Sequence, residues 1–234
     1  MQSRIAIFGG VLATVLLAAP TLTGQTAREH SATSGSSSVE RVEPFTRLNA
    51  MRIPPLAPSK WTDAHREVLG PQGGPTQMQV CLHNLDLCRK YWTFARQLTS
   101  HYTLPLRDKE LLILRTAWLS RGEYVWGRHS TGSGARAGIT EEELVRITQG
   151  PEANEWSDFD AVLLQAADEL HTSRFIADAT WKSLAERYDE GQLLEVMFVV
   201  GNYALLTMFH NSVGLPLEPG IEGLEESLRI YNHE

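Results

Sequence analysis

The sequence predicts an all-α fold, an antiparallel helical bundle, on three observations. From Ser59 onward apolar residues recur at three- and four-residue spacing. No alternating stretch bounded by hairpin turns breaks that pattern. Helix starts of the Ser, Thr, Asn or Asp type alternate with Gly or Gly-Pro stops along the same region.

The chain ahead of this domain reads as address and tether. Arg4 is followed by an apolar stretch from Ile5 to Ala19 and then by small polar residues, the form of a secretory signal over residues 1–27, with cleavage expected near Gly24 or Ala27. The stretch is short and glycine-broken for a transmembrane helix, so an uncleaved anchor is the alternative. Export to the periplasm or medium is the expectation, with membrane contact only through the signal. Residues 28–58 continue as a disordered Ser-rich tether and then an extended strap, in which Pro54 and Pro55 disfavour helix. Residues 59–234 are expected to form one domain, large enough to bury a core without disulfides.

Within it, Trp61 to Leu69 is a short helix closed by Gly70-Pro71 and a Gly-Gly-Pro loop at 73–75. Asn84 can cap a helix from Leu85 to Ser100 that buries Leu85, Cys88, Trp92, Ala95 and Leu98. The helix from Leu106 to Ser120 confines its charges to Arg107 through Glu110, where carboxylates suit the dipole, and then becomes apolar. Arg121-Gly122 ends it, and a helix from Glu123 to about Ala137 follows, stopped by Gly138. Thr140 and Glu143 form a capping box for a helix to Gln149, before Gly150-Pro151. Ser157 caps the next, Asp158 to His171, and another spans Thr180 to Tyr188. Asp189 and Gln192 open the longest, to about Ser212. Its segments Val196 to Val200 and Leu205 to Phe209 are apolar on nearly every side, implying deep burial or a subunit interface; Glu195, Asn202 and His210 argue against a membrane span.

The net charge is −7, and the folded part carries no Lys/Arg cluster, so small molecules or proteins are expected partners and nucleic acid is not. Two cysteines, Cys81 and Cys88, lie seven apart. On one continuous helix their Cα atoms would sit roughly 10 Å apart, beyond disulfide reach, so a bridge requires Cys81 off the helix; otherwise both are small buried hydrophobes. His83, His171 and His210 are scattered without ligand spacing, and no metal is expected.

The residues that carry chemistry flank the break at Gly122. So short a break implies an αα-hairpin, in which distance from the turn decides which residues meet. Glu110 lies 12 residues before Gly122 and His129 lies 7 after it. At about 1.5 Å per residue the offset is roughly 7 to 8 Å, which the two side chains can largely span. Each shares a helix face with apolar neighbours. The pair is either an acid-base couple or a structural hydrogen bond tying two helices. Arg115, set in an apolar run, needs an anion: an internal partner such as Glu123 or Glu195, or a substrate carboxylate. Trp126 and Tyr124 are core aromatics or pocket wall, and Asn202, Tyr203 and Asn211 cap helix ends or line the same cavity.

Arg107-x-Lys-Glu-Leu-Leu-Ile-Leu-Arg115, Glu123-Tyr-x-Trp-x-x-His129 and Gly138-Ile-Thr-x-x-Glu-Leu144 together resemble the carboxymuconolactone decarboxylase and alkylhydroperoxidase D superfamily. Ala-Ala-Asp-Glu-Leu-His171 and Gly201-Asn-Tyr203 with Asn211 extend the resemblance over about residues 60–218. It implies a helical bundle of the alkylhydroperoxidase D type that assembles as trimers or hexamers. The peroxidase branch uses a Cys-x-x-Cys pair, but Gly122 and Val125 stand where those cysteines belong. The decarboxylase branch implies cofactor-free acid-base chemistry on a small carboxylated lactone, with Glu110 and His129 moving protons, Arg115 or Arg128 holding the carboxylate, and Trp126 and Tyr203 lining the site. The leading expectation is therefore an exported lyase or isomerase without cofactor. The alternatives are an alkylhydroperoxidase-like antioxidant and a non-catalytic small-molecule binder or assembly protein.

Overall fold

A computed structural model describes residues 48–224. The expected signal and nearly all of the expected tether lie outside the described residues. Within them the chain is helix and turn, with no strand. After a 3-10 turn at Pro58–Lys60 come α1 (Asp63–Leu69), α2 (Thr76–Cys81), α3 (Leu85–Ser100), α4 (Leu106–Leu119) and α5 (Glu123–Arg128). A π turn at His129–Gly134 continues α5, and α6 (Glu141–Gln149), α7 (Asp158–Ser173), α8 (Asp178–Ala185) and α9 (Glu190–Val213) complete the bundle.

The capping residues do what their chemistry dictates. Asn84 Oδ1 accepts from the Leu87 amide at 3.2 Å, Ser157 Oγ from Asp160 at 3.1 Å, and Asp189 Oδ1 from Gln192 at 2.8 Å. Thr140 and Glu143 close a reciprocal box. Each such cap is worth about 1 kcal/mol. Two departures from the sequence reading occur at the front of the domain. Trp61 lies before the first helix, its indole N–H donating to the Leu56 carbonyl at 2.8 Å. Beyond the Gly-Gly-Pro loop, the six residues Thr76–Cys81 form a helix the spacing did not announce, because six residues are too few to display a period.

Helix α4 is the axis of the molecule. Every residue from Asp108 to Ala117 is buried, and the helix packs against both α7 and α9. Leu111 to Leu114 and Ala117 meet Trp126, Leu163, Leu164, Val196 and Val199 in the main core. Each large apolar side chain buried there contributes about 1.5–3 kcal/mol. A smaller cluster of Leu56, Leu69, Leu82 and Cys88 sits under α1 to α3. Residues 48–57 run without helix along this side, where the Arg52 amide donates to Val213 and the Leu56 amide to Gln79.

Helix α9 presents two apolar faces. Val196, Val199, Val200, Tyr203 and Leu206 point into the core, whereas Leu194, Phe198, Leu205 and Met208 are exposed. By length and composition α9 is apolar enough to cross a membrane, but half of its most apolar stretch is buried within the domain, as in any central core helix.

Candidate active site

The α4–α5 hairpin depends on a turn with little tolerance. Arg121 takes the left-handed region at φ 58°, and the Gly122 amide donates to the Ala117 carbonyl at 2.7 Å. A Cβ on Gly122 would lie 2.4 Å from Thr207 Oγ1 on α9, so glycine lets the hairpin close onto that helix. Closure puts Glu110 Oε2 2.7 Å from His129 Nδ1. The two residues that the offset argument placed in one pocket are in direct contact.

The chain widens into its π turn at His129, and this was not foreseen. A Cβ on Gly134 would stand 2.6 Å from the His129 carbonyl, so the turn requires a glycine at its far end. Its consequence is a second donor: Ser133 Oγ lies 2.8 Å from Glu110 Oε2 and 3.1 Å from His129 Nδ1. π turns recur at functional sites because the extra residue re-aims side chains. Ser133 stands four residues after His129, a helical spacing that could have flagged it.

Glu110 is almost wholly buried, and its second oxygen, Oε1, has no hydrogen-bond donor; the nearest charge is Lys109 Nζ at 3.9 Å. Burial holds the Lys109 ammonium below its ordinary pKa, against the opposing pull of Glu110 and Glu195. Lys109 also stands 3.3 Å from the centre of the Tyr102 ring. Carboxylates at the start of this helix suit its dipole, yet Asp108 and its neighbour Lys109 are both buried, and Asp108 accepts from the Tyr188 hydroxyl at 2.5 Å.

With Glu110 accepting at Nδ1, a neutral His129 carries its proton there and keeps a lone pair on Nε2. The ring is 18% exposed and borders a depression of about 370 Å³ lined by Arg128, Thr131, Gly132, Ser133, Arg136 and Ile221. Tyr203 braces the imidazole edge-on, ring centres 5.0 Å apart. Its hydroxyl is pushed well above the usual phenol range by burial and then by the Glu110 charge, so it stays protonated.

The remaining expected residues separate. Arg128 borders the depression, with Nη1 2.9 Å from Glu218 Oε2. Trp126 is fully buried beside Trp118, which makes it core and not pocket wall. Arg115 faces away: its guanidinium pairs with Asp168 through Nε and Nη2, and Nη1 donates to the carbonyls of Ile147 and Thr148. Its partner is neither Glu123 nor Glu195, and a substrate carboxylate finds its donors engaged. Glu195 instead receives the Thr103 and Leu104 amides. Asn202 accepts from Tyr91 at 2.9 Å, and Asn211 donates to the Arg121 carbonyl at 3.0 Å. Arg136, exposed at the depression, is a cation the sequence reading missed; it lies seven residues from His129, two turns along.

Residues 86–168 match the carboxymuconolactone decarboxylase family. No curated protein matches the chain. Among solved structures, the debrominase Bmp8 in complex with 2,3,4-tribromopyrrole is similar, at 14% identity and a TM-score of 0.60, over 79% of this chain and 99% of that one. A peroxidase-related protein from Silicibacter sp. TM1040 shares 11% identity with a TM-score of 0.59, over 76% and 96%. An alkylhydroperoxidase AhpD core protein from Ralstonia eutropha JMP134 shares 14% with a TM-score of 0.58, over 71% and 90%. At such identities these likenesses speak for the fold alone. The stretch from α3 to α7 is thus similar to the carboxymuconolactone decarboxylase family, and the helical bundle shares its fold with the alkylhydroperoxidase AhpD core protein.

Proposed function

We propose that the chain is a cofactor-free acid-base enzyme, a lyase or isomerase acting on a small carboxylated lactone or related acid. The observation that carries this reading is the double hydrogen bond onto Glu110 Oε2, which fixes the His129 tautomer so that Nε2 is the free base at a depression holding two guanidinium groups. Arg128 and Arg136 are placed to receive a carboxylate or a developing enolate. In an isomerisation Nε2 removes a proton beside the substrate carbonyl and the imidazolium returns it at the new position; in a decarboxylation the imidazolium, protonated from solvent, gives its Nε2 proton to the enolate left when carbon dioxide departs. Glu110 balances the imidazolium formed meanwhile.

Export through residues 1–27 and assembly as a trimer or hexamer belong to the same proposal. Leu194, Phe198, Leu205 and Met208 supply an exposed apolar row for contact between subunits. An alkylhydroperoxidase-like activity is disfavoured at the hairpin: Gly122 has no room for a side chain, and Val125 faces the core.

The test is turnover of a panel of carboxylated lactones, halogenated pyrroles and an alkyl hydroperoxide with thiol donor, by the wild type and His129→Ala. Decarboxylation or isomerisation lost in the variant supports the proposal. Peroxide turnover that survives His129→Ala and requires a cysteine overturns it, as does a His129→Ala protein retaining every biological effect, which would mark a binder.

A further inference from the structure

The chain beyond α9 returns over α5 and reaches the depression beside His129. Glu218 is held there twice: Oε1 accepts from the Tyr124 hydroxyl at 2.7 Å and Oε2 from Arg128 Nη1 at 2.9 Å. Leu224, at the other end of the stretch, is buried in the main core. Between these two anchors the Ile221 amide donates to the Glu218 carbonyl at 3.1 Å, and the Ile221 side chain lines the depression. Glycine at 127 makes room for it, since a Cβ there would overlap Ile221 Cγ2 and the Glu222 carbonyl. Tyr124 is itself buried, so Glu218 is fixed by a rigid hydroxyl as well as by the exposed Arg128. An ion pair with one side already fixed gives up less side-chain freedom than one between two mobile groups.

That hold decides the charge a ligand meets. No carboxylate is among the described residues that line the depression. The charges around it cancel in pairs: Lys109 Nζ stands 3.9 Å from Glu110 Oε1, and Arg128 is matched by Glu218. Arg136 is exposed and forms no ion pair among the described residues. The hydroxyls of Ser133 and Thr131 give their protons to Glu110 and to the Gly127 carbonyl. With His129 neutral, the depression offers one unbalanced positive charge at Arg136, an apolar edge at Ile221 and the Nε2 lone pair.

Resting on the acid-base reading of this site, we propose that Glu218 is a specificity-determining residue: by neutralising Arg128 it sets the depression for a substrate with one carboxylate, held by Arg136, and against a substrate with two. A monoanion leaves the occupied site neutral. A dianion brings its second carboxylate toward Arg128, where Glu218 already sits. It must either take Arg128 from Glu218, leaving that carboxylate with the Tyr124 hydroxyl alone, or remain unpaired beside a like charge. The Arg128 nitrogens that Glu218 does not engage still face a neutral acceptor, so they can donate to the lactone carbonyl or to the enolate that develops from it.

The test reads binding, not turnover. Calorimetric titration of the full chain at neutral pH and low ionic strength compares a butyrolactone ring bearing one carboxylate with the same ring bearing two. The wild type is expected to bind the monocarboxylate severalfold more tightly, and the preference to shrink as salt is added, a reading that needs no variant. Glu218→Gln keeps an oxygen for the Tyr124 hydroxyl and releases Arg128, so the preference is expected to level or reverse through tighter binding of the dicarboxylate. Arg136→Gln is expected to lose the monocarboxylate. Equal or tighter binding of the dicarboxylate by the wild type, a preference indifferent to salt or to Glu218→Gln, monocarboxylate binding that survives Arg136→Gln, or no binding of either ring overturns the proposal. Selective binding without turnover would sink the acid-base reading and leave the charge selection standing. Turnover that is lost in His129→Ala but shows no charge preference would do the opposite.

Discussion

Glu110 and Arg115 stand five residues apart on the same buried helix, and each is paired with a residue from a later element, Arg115 with the Asp168 carboxylate and Glu110 with the His129 imidazole. They differ in completeness. Arg115 has every nitrogen engaged by Asp168 or by the α6 carbonyls. Glu110 uses one oxygen twice and leaves the other without a donor, and its partner His129 reaches the surface. A buried charge whose bonds are complete holds elements in place, because any substrate would have to displace a partner. One that is incomplete and reaches solvent through an imidazole is where a proton can enter and leave. Charged residues on a core helix therefore sort by what their partners leave open.

The largest test of that contrast is kinetic. His129→Ala is expected to lower turnover by about 10²- to 10⁴-fold, and Glu110→Gln to lower it while leaving a folded protein, as measured by initial rates beside circular dichroism. A Glu110→Gln enzyme that turns over normally but unfolds early would return the pair to structure. Arg115→Ala should do the reverse, costing about 3–5 kcal/mol in urea denaturation, because Asp168 and two carbonyls lose their donors. Retention of wild-type stability by Arg115→Ala would break the comparison from its other side.

A smaller effect separates His210 from His129. His210 is buried against Gln77 and Tyr124, and burial pushes its pKa from 6.5 down to about 4. Between those values the unfolded chain binds a proton that the folded chain refuses, so stability falls as pH drops through the window, by roughly 3 kcal/mol at most. In His210→Gln that part of the pH dependence should vanish in thermal melts between pH 4 and 7; an unaltered slope would contradict it. The smallest effect is Ser133→Ala, expected to slow turnover about tenfold and cost about 1 kcal/mol, since Glu110 keeps its bond from His129.

Signals legible in the sequence were those written within one helical turn. Asn84, Thr140, Ser157 and Asp189 cap helices through residues three positions away, and the run Leu111 to Leu114 needs only its own composition to be buried. The meeting of Glu110 and His129 was accessible because a short turn converts sequence distance into axial offset. The Asp168 partner of Arg115 was not, because 53 residues and a further helix pair intervene, and only the packing of α4 on α7 brings them together. The π turn was hidden for another reason: His-Ser-Thr-Gly-Ser-Gly offers no apolar period to shift, so nothing in the pattern marks the extra residue. Ser133 went unnoticed with it.

The contact between Gly122 and Thr207 also limits which neighbouring sequences this backbone can reach. A cysteine at 122 would press its Cβ on Thr207 Oγ1, with Cγ2 and Cβ only 3.1 and 3.3 Å away, so rotating that branched side chain trades one clash for another. Residue 207 would have to shrink first, and that change alone would open a void under the hairpin. A dithiol at this turn thus needs three substitutions, at 207, 122 and 125, with the unrewarded change at 207 ahead of the one at 122, which makes its absence a ratchet that sequence drift does not readily reverse.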